Sequence, residues 1–240
     1  MEIEQQSHIV SNRLHPIFPT LVFEDYYEDN QKFLNTICKT WSDHYTDGYT
    51  NELTGDNDLH LDIRYKDLYT HMTKSIQKYL HTSGIMYENF DINFVKSWFN
   101  SLDSATTPLH SHADAHISIV YYVNTPEDAK QDIRFFSFDK DRQAFEGLFA
   151  YNSYEYNQFN GLIYNIQTYQ GQIVIFPARL PHDTYGDGKV SGALEMPVTD
   201  VQGLLKKRIC IASDVVLTYK EKQIKSGGIQ PVKNWRTFNE

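Results

Sequence analysis

Three histidines and one aspartate stand close together just before an apolar, β-branched stretch, within residues 108–124. Alternate side chains of a β-strand leave the backbone on the same side, so His112 and Asp114 are predicted to share one face with Tyr122. The opposite face is apolar and is expected to pack against a core. Two neighbouring ligands at the start of a strand would form part of a metal site, which needs a third ligand from elsewhere.

The third ligand is predicted at His182. Residues 173–176 form a short apolar run after Gly171, and Pro177 and Pro181 end it, so that His182 opens the next segment. A histidine held at a rigid proline corner is well placed as a preorganised ligand. Two neutral imidazoles and one carboxylate on one face of an ion form the facial triad of non-haem Fe(II) sites, which leaves positions open for a cosubstrate and O₂.

A cation begins a later strand of the sequence. By the alternation of a strand, Arg208 is predicted to share a face with Cys210 and Ala212, which are small enough to leave room for a ligand. A guanidinium group can bind a carboxylate with two parallel hydrogen bonds, and Tyr122 could add a phenolic donor. These residues favour an anionic ligand such as a dicarboxylate.

These motifs resemble, in order and approximate spacing, those of the 2-oxoglutarate and Fe(II)-dependent oxygenases, in particular a branch common in phages and bacteria that is related to prolyl hydroxylases. The resemblance covers residues 92–217 and rests on Ser97-Trp98-Phe99-Asn100, His110-Ser111-His112, residues 119–123, Phe176-Pro177 with Pro181-His182, and residues 208–211. It implies that His112, Asp114 and His182 bind Fe(II). It also implies that Arg208 holds the distal carboxylate of 2-oxoglutarate and that Tyr122 assists it.

The resemblance also implies a fold and a reaction. The fold would be mainly β, with a double-stranded β-helix (jelly-roll, cupin-like) core buttressed by two N-terminal helices, whereas periodicity alone predicts only a sandwich or barrel. The cofactors would be Fe(II), 2-oxoglutarate and O₂, with ascorbate as a supporting reductant. The enzyme would hydroxylate a C–H bond of a small molecule or peptide, for example at a proline residue, and release succinate and CO₂.

Two other functions fit the same residues. A cupin-type metalloenzyme, an isomerase or an O₂-using enzyme, would need no 2-oxoglutarate and no Arg208. Its site would use His110, His112, Asp114, Gly171, Pro177 and His182. A non-catalytic jelly-roll binding protein would have kept only the scaffold. If the site is that of an oxygenase, we expect His110 on a loop behind the ligands or facing the substrate, and His116 lining the pocket or hydrogen-bonded in the strand.

Composition limits the class of protein. A chain of 240 residues fits one domain, with helical support over about 17–90, a jelly-roll core over about 92–218 and a tail at 219–240. The net charge of −9 disfavours nucleic-acid binding. Two cysteines fit a reducing cytoplasm, that of a host cell if a phage encodes the chain, and no apolar run suits a membrane span. The oligomeric state stays open.

The periodicity of apolar residues predicts the order of the elements. Helices are predicted at 30–44 and 64–82, because apolar residues recur there at helical spacing. Strands are predicted at 17–23, 94–100, 112–123, 133–138, 162–168, 173–176 and 208–218. The segment 139–160 is expected to form an excursion between strands, and an inserted loop at about 187–205 could serve as a lid.

Overall fold

The computed structural model describes residues 19–29, 32–37, 39, 58–102, 107–127, 132–137, 161–185, 201–206, 208–220 and 228–236. The predicted excursion at 139–160 and most of the inserted loop at 187–205 lie outside the described residues. So does the C-terminal part of the first predicted helix. No helix within the described ranges has both the length and the hydropathy to cross a bilayer.

The described elements follow the predicted order. The strands are β1 (Phe23–Tyr26), β2 (Phe90–Leu102), β3 (Ile117–Asn124), β4 (Asp132–Phe136), β5 (Ile163–Gln167), β6 (Gln172–Pro177), β7 (His182–Tyr185) and β8 (Arg208–Tyr219). The α-helices are α1 (32–37), α2 (Lys66–Thr82) and α3 (Val201–Leu205). Short 3₁₀ turns lie at Leu59–Leu61, Ile63–Tyr65, Tyr87–Asn89 and Val232–Asn234.

The strands form two antiparallel sheets. The larger sheet has the order β1-β6-β3-β8-β2 and the smaller sheet the order β5-β4-β7. From β3 onward the chain passes from the larger sheet to the smaller one and back, so that β6 and β8 flank β3 while β4 pairs with β7. This exchange between two sheets is a double-stranded β-helix, or jelly roll, and the predicted fold class is confirmed.

Alternation along the central strands divides the core into two layers. On β3, Ile117, Ile119 and Tyr121 belong to a helix-facing core that includes buried residues of α1 and α2. Tyr122 belongs instead to an inter-sheet core, with Phe135 of β4 among its members. The predicted apolar face of this strand is therefore confirmed, and the opposite face looks into the space between the sheets.

The two N-terminal helices cover the outer face of the larger sheet. In α2, the predicted stripe Leu68, Met72, Ile76 and Leu80 is buried. The helix ends where Ser83 donates a backbone hydrogen bond to Tyr79 (2.9 Å) and Gly84 takes a positive φ of 75°. In α1, the buried residues are Phe33, Leu34 and Ile37. The predicted buttress is confirmed for the described parts of both helices.

Two predictions for the periphery were wrong. The first strand is Phe23–Tyr26 rather than 17–23, and Pro19 before it lacks the N–H that a ladder requires. Residues 201–205, predicted as loop, are helical. In the tail, Trp235 is 55% exposed, with its indole N–H donating to the Gln230 carbonyl at 3.0 Å.

Ile119→Ala should destabilise the fold strongly. Its side chain is fully buried in the helix-facing core, so truncation loses transfer free energy and leaves a cavity, at a cost of about 2–5 kcal/mol. Urea unfolding followed by circular dichroism measures the loss. The matched control is Ile163→Ala on β5, where the side chain is 47% exposed and the expected cost is under about 1 kcal/mol. Equal losses in the two variants would contradict this assignment of the core.

Candidate metal centre

Three imidazoles meet at one end of the space between the sheets. The potential ligand atoms of His110, His112 and His182 all lie within 4.8 Å of one another. The ring centroids of His110 and His182 are 4.3 Å apart, and the His112 centroid lies 5.2 Å from that of His110 and 5.3 Å from that of His182. The spacing allows one ion to contact all three rings.

The backbone fixes where the three histidines stand. His110 and His182 form an isolated antiparallel bridge, with N–H to carbonyl distances of 3.0 and 2.9 Å. The amide of His112 donates to the carbonyl of Ala178, at 2.8 Å, in the turn between β6 and β7. These hydrogen bonds hold the loop before β3 against the start of β7. They bring His110 and His112 next to His182, which lies far from them in the sequence.

Hydrogen bonds to carbonyl groups set the tautomer of two of the rings. Nδ1 of His182 lies 2.8 Å from the carbonyl of Leu180, and Nδ1 of His110 lies 2.7 Å from the carbonyl of Pro108. A carbonyl only accepts, so each Nδ1 carries the proton and each Nε2 keeps its lone pair. Both rings therefore offer Nε2 as a metal ligand.

His112 also offers Nε2 as a metal ligand, but the partner of its Nδ1 is a carboxyl group instead of a backbone carbonyl. Its Nδ1 lies 2.7 Å from Oδ1 of Asp214, and its Nε2 is buried without a hydrogen-bond partner. A buried, unpartnered nitrogen beside two other free Nε2 atoms suits a metal ligand. Burial lowers the pKa of His182 to about 4, and the neighbouring His110 and His112 act in the same direction while the bond to Leu180 opposes it. The His182 ring is therefore neutral near pH 7, as metal binding requires.

Asp114, the predicted carboxylate ligand, lies outside this cluster. Its side chain is 74% exposed and forms a salt bridge of 3.1 Å with Lys96. The reason is that β3 begins only at Ile117, so residues 112–116 are not a strand and the alternation used to pair His112 with Asp114 does not apply there. The structure brings together two of the three predicted ligands, and His110, which was expected behind them or facing the substrate, stands as the third member.

His116 takes no part in the cluster. Its ring Nδ1 accepts a hydrogen bond of 2.9 Å from the backbone N–H of Leu217, so the prediction of a hydrogen-bonded role fits this contact. The residue is exposed, and burial of part of the ring lowers its pKa. Its place is at the edge of the larger sheet, away from the three converging rings.

A buried cation and a buried phenol line the same cavity as the three histidines. Arg208 is 1% exposed and Tyr122 fully buried, with the guanidinium carbon 4.8 Å from the centre of the phenol ring. Arg208 Nε and the Tyr122 hydroxyl have no hydrogen-bond partner. Burial raises the pKa of Tyr122, against the opposing effect of Arg208, so the phenol is a hydrogen-bond donor. A buried guanidinium whose Nε has no hydrogen-bond partner suits an anionic ligand.

The chemistry available to this cavity follows from its two ends. Three neutral nitrogen ligands on one side of an ion leave other coordination positions open, and the guanidinium and phenol can hold a carboxylate at the far end.

The sequence analysis assigned no role to Asp214, although the alternation that placed Arg208, Cys210 and Ala212 on one face of a strand also places Asp214 there. The two-residue spacing of His110 and His112 was the sequence signal that could have identified His110 as the third imidazole of the cluster.

Fold and site together define a jelly-roll protein with a metal-binding cavity. Residues 96–189 match a family model described as "Putative 2OG-Fe(II) oxygenase". This match agrees with the predicted resemblance to the 2-oxoglutarate and Fe(II)-dependent oxygenases, which use Fe(II), 2-oxoglutarate and O₂, and it covers less than half of the chain. Among curated proteins, none matches this sequence.

Three solved structures are among those that resemble parts of this chain. A prolyl-4-hydroxylase from Pseudomonas putida is 11% identical with a TM-score of 0.49, covering 82% of this chain and 92% of that chain. The epimerase SnoN from nogalamycin biosynthesis is 11% identical with a TM-score of 0.49, covering 89% and 88%. A 2OG-Fe(II) oxygenase family protein from Burkholderia pseudomallei is 8% identical with a TM-score of 0.33, and this chain covers only 46% of its length. With TM-scores below 0.5, these likenesses establish neither the fold nor the substrate of this chain.

Proposed function

We propose that this protein is a non-haem Fe(II), 2-oxoglutarate-dependent dioxygenase that hydroxylates a C–H bond of a small molecule or peptide. One observation carries the proposal. Three imidazoles with free Nε2 atoms converge at one end of a cavity that also holds a buried guanidinium whose Nε has no hydrogen-bond partner. That pairing suits a metal and a cosubstrate with a distal carboxylate.

Within this proposal the three histidines hold Fe(II) through Nε2. Their Nδ1–H groups are anchored to two carbonyls and one carboxyl group, so the rings reach the ion already oriented. When bound, Fe(II) and 2-oxoglutarate supply the oxidation of the substrate C–H bond by O₂, with release of succinate and CO₂. The residues contribute ligand geometry and, around Arg208 and Tyr122, a buried setting for the cosubstrate.

Arg208 and Tyr122 orient the cosubstrate. The guanidinium can bind the distal carboxylate with two hydrogen bonds, and the neutral Tyr122 hydroxyl can donate a third. Phe176, fully buried between the sheets, contacts the His182 ring edge-on, with 4.7 Å between the ring centroids. This apolar surround strengthens the electrostatic contact between Arg208 and a bound carboxylate, because water is excluded.

The substrate enters beside Trp98. This half-exposed indole stacks on His112, with ring centroids 5.8 Å apart and an interplanar angle of 19°. It lines the same cavity as Thr107, which is also half-exposed. An aromatic face at the edge of the metal centre suits an apolar or ring-containing group, including the side chain of a prolyl residue.

A cupin-type metalloenzyme is the second candidate. The presence of His110 in the imidazole cluster favours this candidate, because the cupin-type site predicted from the sequence also uses His110. Such an enzyme would use the three histidines without 2-oxoglutarate and would have no need of Arg208. The burial of the Arg208 guanidinium in the metal cavity, with its Nε lacking a hydrogen-bond partner, favours the oxygenase, since a buried cation is costly unless an anion binds it.

Anaerobic addition of Fe(II) and 2-oxoglutarate to the metal-free protein tests the proposal. We expect a visible charge-transfer absorption band that needs both additions, followed by succinate formation when air is admitted. Equilibrium dialysis measures Fe(II) binding separately from turnover. A protein that binds Fe(II) but gives neither the band nor succinate would fit the cupin-type alternative, and one that binds no Fe(II) would fit a non-catalytic binding protein.

A further inference from the structure

We infer that Asp214 is a positioning residue of the metal centre, which orients His112 and places beside it the negative charge that three neutral imidazoles lack. The inference rests on the proposed function, since it concerns the same centre. Asp214 is 3% exposed and lies on β8. No motif of the sequence marks it as a site residue.

Asp214 receives two hydrogen bonds on one oxygen. Its Oδ1 lies 2.7 Å from Nδ1 of His112 and accepts from the hydroxyl of Ser118 at 3.0 Å. An oxygen that accepts from both groups requires the proton of His112 to sit on Nδ1, which leaves Nε2 free to face the centre. The carboxyl group therefore selects the tautomer that a ligand needs.

The pairing of β3 with β8 fixes this contact. Ser118 and Asp214 are direct partners in the ladder, and Val120 and Ala212 are the next pair on the same face. Alternation then places Asp214 on the same face of β8 as Ala212 and Arg208. The carboxyl group stands at the His112 end of that face and the guanidinium at the other, so one strand provides a charged group to each end of the cavity.

The His112 ring is restrained in two directions. The hydrogen bond to Asp214 fixes its rotation in the ring plane, and the stacked indole of Trp98 covers one of its faces. His110 and His182 are anchored differently, because each Nδ1 bonds to a neutral backbone carbonyl. Of the three imidazoles, His112 is the one whose Nδ1 meets a carboxyl group.

The carboxyl partner of His112 differs from the carbonyl partners of His110 and His182 in its charge. A facial triad brings one negative charge to the ion directly, whereas three neutral imidazoles bring none. A carboxylate on Nδ1 polarises the ring and raises the basicity of Nε2, so Asp214 would deliver part of that charge through His112. A bound cation would also lower the free-energy cost of burying Asp214, because a buried carboxylate beside neutral partners is unfavourable until a cation lies nearby.

Titration of the metal-free full-length protein with Co(II) tests the inference, in the wild type and in Asp214→Asn. Asparagine is nearly isosteric and can still accept from Nδ1 but carries no charge. We expect Co(II) binding to weaken roughly 10–100-fold, with a shift of the Co(II) absorption bands. Asp25→Asn is the matched control, since that half-buried carboxylate bonds Ser75 and Lys78, each at 2.8 Å, far along the chain from the site. Its Co(II) affinity should equal that of the wild type.

Asp214→Leu separates charge from orientation, because it removes both. If Asp214→Asn binds as wild type and only Asp214→Leu is weakened, the charge role is overturned and the orienting role is supported. If both folded variants bind Co(II) as tightly as the wild type, the inference fails while the proposed function stands. A wild type that binds no Co(II) overturns both. Should either variant fail to fold by circular dichroism, Ser118→Ala, which removes one donor to Asp214, should still shift the Co(II) bands, and unchanged bands would count against the inference.

Discussion

His110→Ala is expected to weaken Co(II) or Fe(II) binding by more than about 100-fold, because it removes one of three converging ligands. His112→Ala and His182→Ala should match it. Asp114→Asn should stay within about fivefold of the wild type, since its carboxylate is exposed and its pair with Lys96 is of a kind worth at most about 1 kcal/mol. Isothermal titration of the metal-free protein measures all four affinities.

The matched control for these variants is His116→Ala. This histidine belongs to the same short segment as His110 and His112, but its Nδ1 accepts from the Leu217 amide at the sheet edge. Its loss should leave metal affinity at the wild-type value. The opposite pattern, with Asp114→Asn inactive in binding and His110→Ala unaffected, would restore the facial triad of His112, Asp114 and His182 that the sequence predicted.

The predicted and observed positions of Asp114 show where an alternating sequence pattern predicts the side of a side chain and where it does not. Within β3, β6 and β8 every second side chain does face the same layer, because the strands are continuous and paired on both sides. Burial of Ile119, Ile175 and Ile211 follows directly from that pattern. Fold class and the positions of Arg208 and Tyr122 in one cavity were therefore predictable from the residues and the family resemblance.

The convergence of the three imidazoles was less predictable, because it depends on a contact between distant segments. Residues 111–116 make no regular ladder, and the register of their side chains is set by the bridge between His110 and His182. Nothing local in the sequence encodes that bridge. The same holds for Asp214, whose role appears only when the pairing of β8 with β3 places it opposite Ser118 and next to His112.

Arg208→Met is expected to abolish 2-oxoglutarate binding at working concentrations while leaving the metal centre intact. Truncating one partner of a buried, hydrogen-bonded charge pair typically costs about 2–5 kcal/mol, which corresponds to a loss of about thirtyfold or more in affinity. Tyr122→Phe removes one hydroxyl donor and should cost about 0.5–1.5 kcal/mol. The anaerobic charge-transfer band, titrated with 2-oxoglutarate at saturating Fe(II), reports both affinities.

Arg179→Met is the matched control for Arg208→Met, because Arg179 is an exposed arginine on the turn that precedes His182. Its 2-oxoglutarate affinity should be unchanged, as should the Co(II) affinity of both arginine variants. Arg208→Met should also retain or gain thermal stability without cosubstrate, since it replaces a buried cation whose Nε lacks a hydrogen-bond partner by an apolar chain of similar length. A variant that keeps wild-type 2-oxoglutarate affinity would show that the guanidinium does not hold the cosubstrate, and the cupin-type mechanism would then account better for the three imidazoles.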